Sequence, residues 1–88
     1  LTANFYKIRE IVNEWNPIEI EPLMDDEYSL EVKAINEFIN EQTTGLTLLA
    51  LRNKINEVFS KTFEGYYTQS DHTLEVAKKI MNVCLQAN

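Results

Sequence analysis

In four separate stretches of this 88-residue chain, apolar residues recur every three or four positions. That spacing places them on one face of an α-helix. Phe5, Ile8, Ile11, Val12 and Trp15 make the first such stripe, and the spacing predicts a helix over roughly residues 3–15, with Thr2 or Asn4 available to cap its start. Pro17 dictates its end, because the residue before a proline is pushed out of the α region. Asn16 is one of the few non-glycine types that accept a left-handed backbone at a helix terminus.

From Pro17 to Met24 the rhythm becomes two. Ile18 and Ile20 face one way and Glu19 and Glu21 the other, as in an extended segment. No second segment alternates with it, and a lone strand cannot satisfy its own backbone. The expectation is an extended strap whose isoleucines, with Leu23, press on the helices and which Pro22 stiffens. Asp25, Asp26 and Glu27 then open a second helix by accepting hydrogen bonds from its free N–H groups and complementing its dipole. Its stripe is Tyr28, Val32, Ile35, Phe38 and Ile39, with Leu30 at the margin. It runs to about Gln42 and breaks at Thr43-Thr44-Gly45. Thr47 caps a third helix with stripe Leu48, Leu51, Ile55, Val58, Phe59 and Phe63, which Gly65 stops. Ser70 or Asp71 caps a fourth carrying Leu74, Ala77, Ile80, Met81, Cys84 and Leu85. Glu57–Lys61 and Glu75–Lys79 are spaced as favourable i,i+4 pairs. The fold class expected is therefore all-α: one compact four-helix domain over residues 1–88, with an extended, proline-containing strap between helices 1 and 2.

Composition narrows the function. With 44% hydrophobic residues and only two glycines and two prolines, the chain has the material for long elements around one core. A single cysteine, Cys84, excludes an internal disulfide and a multi-cysteine zinc site. No apolar run is long enough to span a membrane. No basic-then-apolar signal opens the chain, and a start at Leu1 fits a lost initiating methionine or tag. A cytoplasmic protein is expected. The net charge of −6 argues against nucleic-acid binding. That charge is concentrated: no basic residue lies between Arg9 and Lys33, where Glu10, Glu14, Glu19, Glu21, Asp25, Asp26, Glu27 and Glu31 all fall.

Catalytic constellations are missing. His72 is the only histidine, so triads and multi-histidine metal sites are absent, and it reads as a surface residue of a first helical turn, despite a His-x-x-Glu spacing to Glu75. The acids at 25–27 and 31 have neither the alternate spacing nor the central glycine of a calcium loop. Cys84, Met24 and Met81 read as packing residues. No cofactor, no metal and no enzyme activity are expected. Trp15 and Tyr28 bracket the strap, each with a polar handle that needs a partner. They read chiefly as fasteners pinning the strap, and secondarily, beside the acids, as part of a protein-binding surface made of Trp15, Asn16, Pro17, Asp25, Asp26, Glu27 and Tyr28.

The segment Val12-Asn13-Glu14-Trp15-Asn16-Pro17-Ile18, followed by Asp25/Asp26-Glu27-Tyr28 and then Glu31, resembles an uncharacterised family of small helical proteins from spore-forming Gram-positive bacteria, the YugE-like domain of unknown function. The resemblance implies an all-helical cytosolic domain with no assigned activity and no cofactor. Related W-[ND]-P-[IL] and D-[DE]-Y signatures resemble those of small acidic proteins associated with bacterial toxin systems, although Glu19 stands where such signatures often carry glycine. The function expected is thus a non-enzymatic protein-interaction module whose partner has a basic surface. The alternative is an immunity-type inhibitor of a basic toxin such as a nuclease.

Overall fold

Helices form where the apolar spacing puts them. In the computed structural model, α1 covers Thr2–Trp15, α2 Ser29–Glu41, α3 Leu48–Thr62 and α4 His72–Gln86. It describes residues 2–42 and 45–86, apart from the side chains of residues 2–4, 85 and 86. The expected cap from Thr2 or Asn4, the Thr43-Thr44 part of the break and the place of Leu85 on its stripe lie outside the described residues. Among the described residues there is no strand.

Each helix packs on the next, and α4 closes the ring on α1. Contacts across each groove run in opposite chain order. Lys54 lies over the Phe38 ring while Phe63 meets Tyr28 across α2 and α3. Leu48 shares a groove with Met81 across α3 and α4. Trp15 lies beside His72 across α1 and α4, and Ile11 lines a groove with Val76. Successive helices are therefore antiparallel, an up-down-up-down bundle. Its radius of gyration, 12.2 Å, matches the roughly 12 Å of a compact chain this long.

The core takes Ile8 and Val12 from α1, Val32 and Ile35 from α2, Leu51, Ile55 and Phe59 from α3, and Val76, Ala77 and Ile80 from α4, with Tyr28 just ahead of α2. Fully burying each large apolar side chain contributes about 1.5–3 kcal/mol. Three buried residues fall outside the expected stripes. Thr73 and Val76, rather than Leu74, make the inward face at the start of α4, because Thr73 reaches a hydroxyl partner inside. Glu31 is also buried.

Helix ends follow local chemistry. The Thr47 hydroxyl accepts from the Ala50 N–H at 3.1 Å, as expected of an N-cap. Ser70, not Asp71, supplies the oxygen that accepts from the His72 N–H, at 3.2 Å. α3 ends at Thr62, before Gly65, which turns the chain at φ +87° while the Tyr66 and Tyr67 N–H groups bond back to the Phe63 carbonyl. Glu57 and Glu75 pair with Lys54 and Lys78 at i,i+3 (3.6 and 3.7 Å), in place of the expected Lys61 and Lys79.

The connection 16–28 departs most from expectation. Burial does alternate, with Ile18, Ile20 and Leu23 packed against the core and Glu19 and Glu21 exposed. The backbone, however, is looped rather than uniformly extended. Asn16 takes φ +45°, and its carbonyl accepts from the Glu19 N–H at 3.0 Å, closing a turn over Pro17 and Ile18. Residues 25–28 form a second turn, and α2 starts only at Ser29. Asp25, Asp26 and Glu27 therefore lie before the helix. The position ahead of it is Tyr28, which makes no side-chain capping bond.

Asn16 organises the loop. Its Oδ1 accepts from the Ile20 N–H at 3.1 Å and from the Tyr28 hydroxyl at 2.6 Å, and its Nδ2 donates to the Ile20 carbonyl at 3.1 Å. The same Tyr28 oxygen accepts from the Ile18 N–H at 3.2 Å. Burial lifts the Tyr28 pKa above its ordinary value, aided by Glu27 and Glu31, while the Ile18 N–H pulls it down. Denaturant melts should show Tyr28→Phe lowering the unfolding free energy by about 1–3 kcal/mol, the cost of unsatisfied buried partners. Asn16→Gly, which keeps the left-handed backbone but loses the side chain, should cost at least as much. The double variant should cost less than the sum, because both single changes remove the same bond. Glu19 sits at φ +56°, a conformation that strains a side-chain-bearing residue by about 1–2 kcal/mol. Glu19→Gly should leave stability unchanged or raise it by up to about 1 kcal/mol in the same melts.

Candidate functional site

Seven of the eight acids between Arg9 and Lys33 are exposed: Glu10 and Glu14 on α1, Glu19, Glu21, Asp25, Asp26 and Glu27 on the connection. None of them is in an ion pair among the described residues. Like charges this close repel, and they stay together because the backbone beneath them is held from two sides. The Asn16–Tyr28 bonds secure the first turn. Asn13 Nδ2 donates to the Asp25 carbonyl at 3.1 Å and ties the acidic turn to α1. Met24, expected to fill a gap in the core, is 57% exposed beside these acids.

The residues singled out from sequence divide into two groups. Tyr28 is fully buried and belongs to the core. Asn16 spends its amide on Ile20 and Tyr28, and Pro17 is half-buried. Trp15 has a half-buried ring that meets Phe59 edge-on at 5.4 Å and Tyr67 at 6.1 Å. Tyr28 fastens the connection through its hydroxyl, which bonds Asn16 and Ile18. The outer part of the candidate surface is Asp25, Asp26 and Glu27, which are exposed.

Sequence reasoning missed Tyr67. Its hydroxyl donates to Asn56 Oδ1 at 2.6 Å and lies 2.9 Å from the Thr73 hydroxyl. With the tyrosine proton committed to Asn56, Thr73 is the donor in the second bond. This holds the α3–α4 loop as Asn16 and Tyr28 hold the first connection. Both tyrosines surround Phe59, with ring centroids 5.7 and 5.6 Å from it. The signal available in sequence was a tyrosine in a polar loop with an asparagine on the preceding helix.

Two grooves flank this end of the bundle. One, of about 200 Å³, lies between α1 and α4, lined by Ile11, Trp15 and Val76 with Glu14, His72 and Lys79. His72 is exposed, as expected, with its ring 6.2 Å from Trp15. The other, of about 270 Å³, lies between α2 and α3. Leu30, Ala34 and Val58 give it apolar walls, Lys54, Glu57 and Lys61 its charged margin, and Glu31 is the most buried residue lining it. Burial raises the Glu31 pKa above its ordinary value of 4.5, against the opposing pull of its own N–H and the Thr62 hydroxyl.

Among the described residues, no cluster of three or more His, Cys, Asp or Glu side chains could hold a metal ion, and no helix is long and apolar enough to cross a membrane. Cys84 is half-buried, and burial pushes its thiol pKa up, away from the reactive thiolate. No family model, curated protein or solved structure matches this chain.

The folded protein holds the Glu31 proton more tightly than the unfolded chain does. Glu31 therefore adds stability below its unfolded pKa, and that stability is lost as pH rises through the higher folded value. Glu31→Gln should accordingly be more stable than the parent at neutral pH, with the gain disappearing as pH falls below about 4.5. Thermal melts across that range read this directly. An equal effect of the substitution at every pH would show that the carboxyl charge carries no cost in the fold.

Proposed function

We propose that this chain is a non-enzymatic helical module that binds a protein partner through the acidic connection between α1 and α2, and that it works in the cytoplasm. The observation that carries this reading is the set of exposed, unpaired carboxylates on a connection fixed by internal hydrogen bonds. A surface of this kind favours a basic partner over an acidic one and steers its approach. Exposed Met24 and Leu30 on either side of the 25–27 turn offer apolar contact within that charged rim. The immunity-type inhibitor is a narrower form of the same proposal, in which the basic partner is a toxin such as a nuclease. The relation to the YugE-like domain is likewise a proposal and rests on the Trp15-Asn16-Pro17 and Asp26-Glu27-Tyr28 motifs.

The test compares immobilised parent protein with an Asp25/Asp26/Glu27→Lys variant shown by circular dichroism to be folded. The parent should retain one basic protein from lysate of the source cell, and the variant should release it. Retention should also weaken steeply between about 0.1 and 1 M salt, as the screening length falls from roughly 10 to 3 Å. Identical recoveries from parent and variant would remove the acidic connection as the binding surface. Inhibition of a toxic activity of the captured protein would select the immunity-type form.

A further inference from the structure

Glu31 is 4% exposed yet lines an open groove, and among the described residues it has no ion-pair partner. In place of a counter-charge, its carboxylate has its position in the first turn of α2, where the free N–H groups and the helix dipole favour a negative group. Its own backbone N–H and the Thr62 hydroxyl favour the charged form, against the burial that opposes it. Leu30, which lines the same groove, is 78% exposed and lies three residues beyond the acidic turn. Of the two lysines at the margin, Lys54 is occupied: its ammonium pairs with Glu57 at 3.6 Å and lies 5.6 Å from the Phe38 ring centre. Lys61 is exposed and, among the described residues, in no ion pair.

We propose that the α2–α3 groove is a socket for an arginine side chain of the protein partner, with the guanidinium on Glu31 and its stem between Leu30 and Val58. A guanidinium suits this place because it is planar, more weakly hydrated than an ammonium, and able to bond a carboxylate through two N–H groups. Its methylene stem covers apolar walls while the charged end reaches the acid. The inference rests on the reading that the module binds a basic protein, and it names a second recognition point on that partner. The exposed acids attract the partner from a distance, and the socket selects one residue of it. Lys61 opposes the incoming cation, so the socket binds more tightly when that charge is removed.

The experiment needs no identified partner. The full chain is titrated with butylguanidinium and, separately, with uncharged butylurea of similar shape, while NMR follows the Leu30 and Val58 methyl groups and the Glu31 carboxyl carbon. Butylguanidinium should give saturable shifts at all three and butylurea none. Glu31→Gln, which retains the side chain's shape, should weaken binding at least about ten-fold, in line with loss of a charge-assisted hydrogen bond. Lys61→Gln should strengthen it. The Asp25/Asp26/Glu27→Asn/Asn/Gln variant should leave the local shifts in place, because those acids lie outside the groove. Equal responses to the two compounds, indifference to Glu31→Gln, or loss of the shifts in the triple variant would each overturn the socket. A failure here with successful capture by the acidic connection would remove the socket alone. The reverse result would remove the connection as the binding surface.

Discussion

A tyrosine hydroxyl held by an asparagine carbonyl oxygen secures each of the two connections at one end of this bundle. The Tyr28–Asn16 and Tyr67–Asn56 bonds have the same length, 2.6 Å, and both rings lie against Phe59. The physical need is specific. Where a chain crosses the end of an apolar core without regular structure, its backbone N–H and carbonyl groups still require partners. A phenylalanine could fill the space but not meet that need. Tyr28 fills it and also accepts from Ile18, leaving Asn16 free to hold both backbone groups of Ile20. Ile18 and Ile20 can therefore pack on the core while the glutamates between and after them remain in water.

That arrangement explains why so much negative charge can be collected on a single stretch. Without fixed backbone, mutual repulsion would spread these acids apart and broaden the ensemble. Here the repulsion is opposed by a short polar network over a buried aromatic cluster, and by Asn13 holding the Asp25 carbonyl. A pre-ordered charged surface loses less conformational freedom on association than a floppy one, so more of its interaction energy remains as affinity. Local strain at Glu19 belongs to the same economy of shape: its left-handed backbone lets the turn close under the Asn16 amide.

The helices were legible in the sequence because periodicity, prolines and small polar caps act locally. Pro17 ended α1 and Asn16 took the left-handed backbone for reasons readable within four residues. Alternation along 17–24 correctly separated the residues that pack from those that face water, yet it did not reveal the backbone path. A side-chain amide twelve positions from Tyr28 decides that path, and such a pair has no periodic signature. The same blindness misplaced the 25–27 acids. They resemble a helix start, but the chain must first make a turn that brings Tyr28 inward, so α2 begins later. Buried Glu31 was hidden for a different reason: charge predicts exposure on average, and only the meeting of α2 with α3 takes it out of water.

The acids of this chain thus fall into two physical classes with different consequences for recognition. Exposed carboxylates act over a screening length, tolerate many geometries and discriminate poorly between one basic surface and another. A buried carboxylate acts only on contact. Burial already disfavours its charge in the free protein, so a cation that reaches it meets a carboxylate less well hydrated than those on the surface. The same burial penalises any ligand that arrives without charge or a good donor, and this is a source of selectivity that surface acids cannot provide. On the proposed reading, the surface acids would govern how fast a partner arrives and Glu31 how long the correct one stays. The adjoining Lys61 would sharpen that choice, since a weakly held cation cannot displace its field whereas a well-seated, doubly bonded guanidinium can.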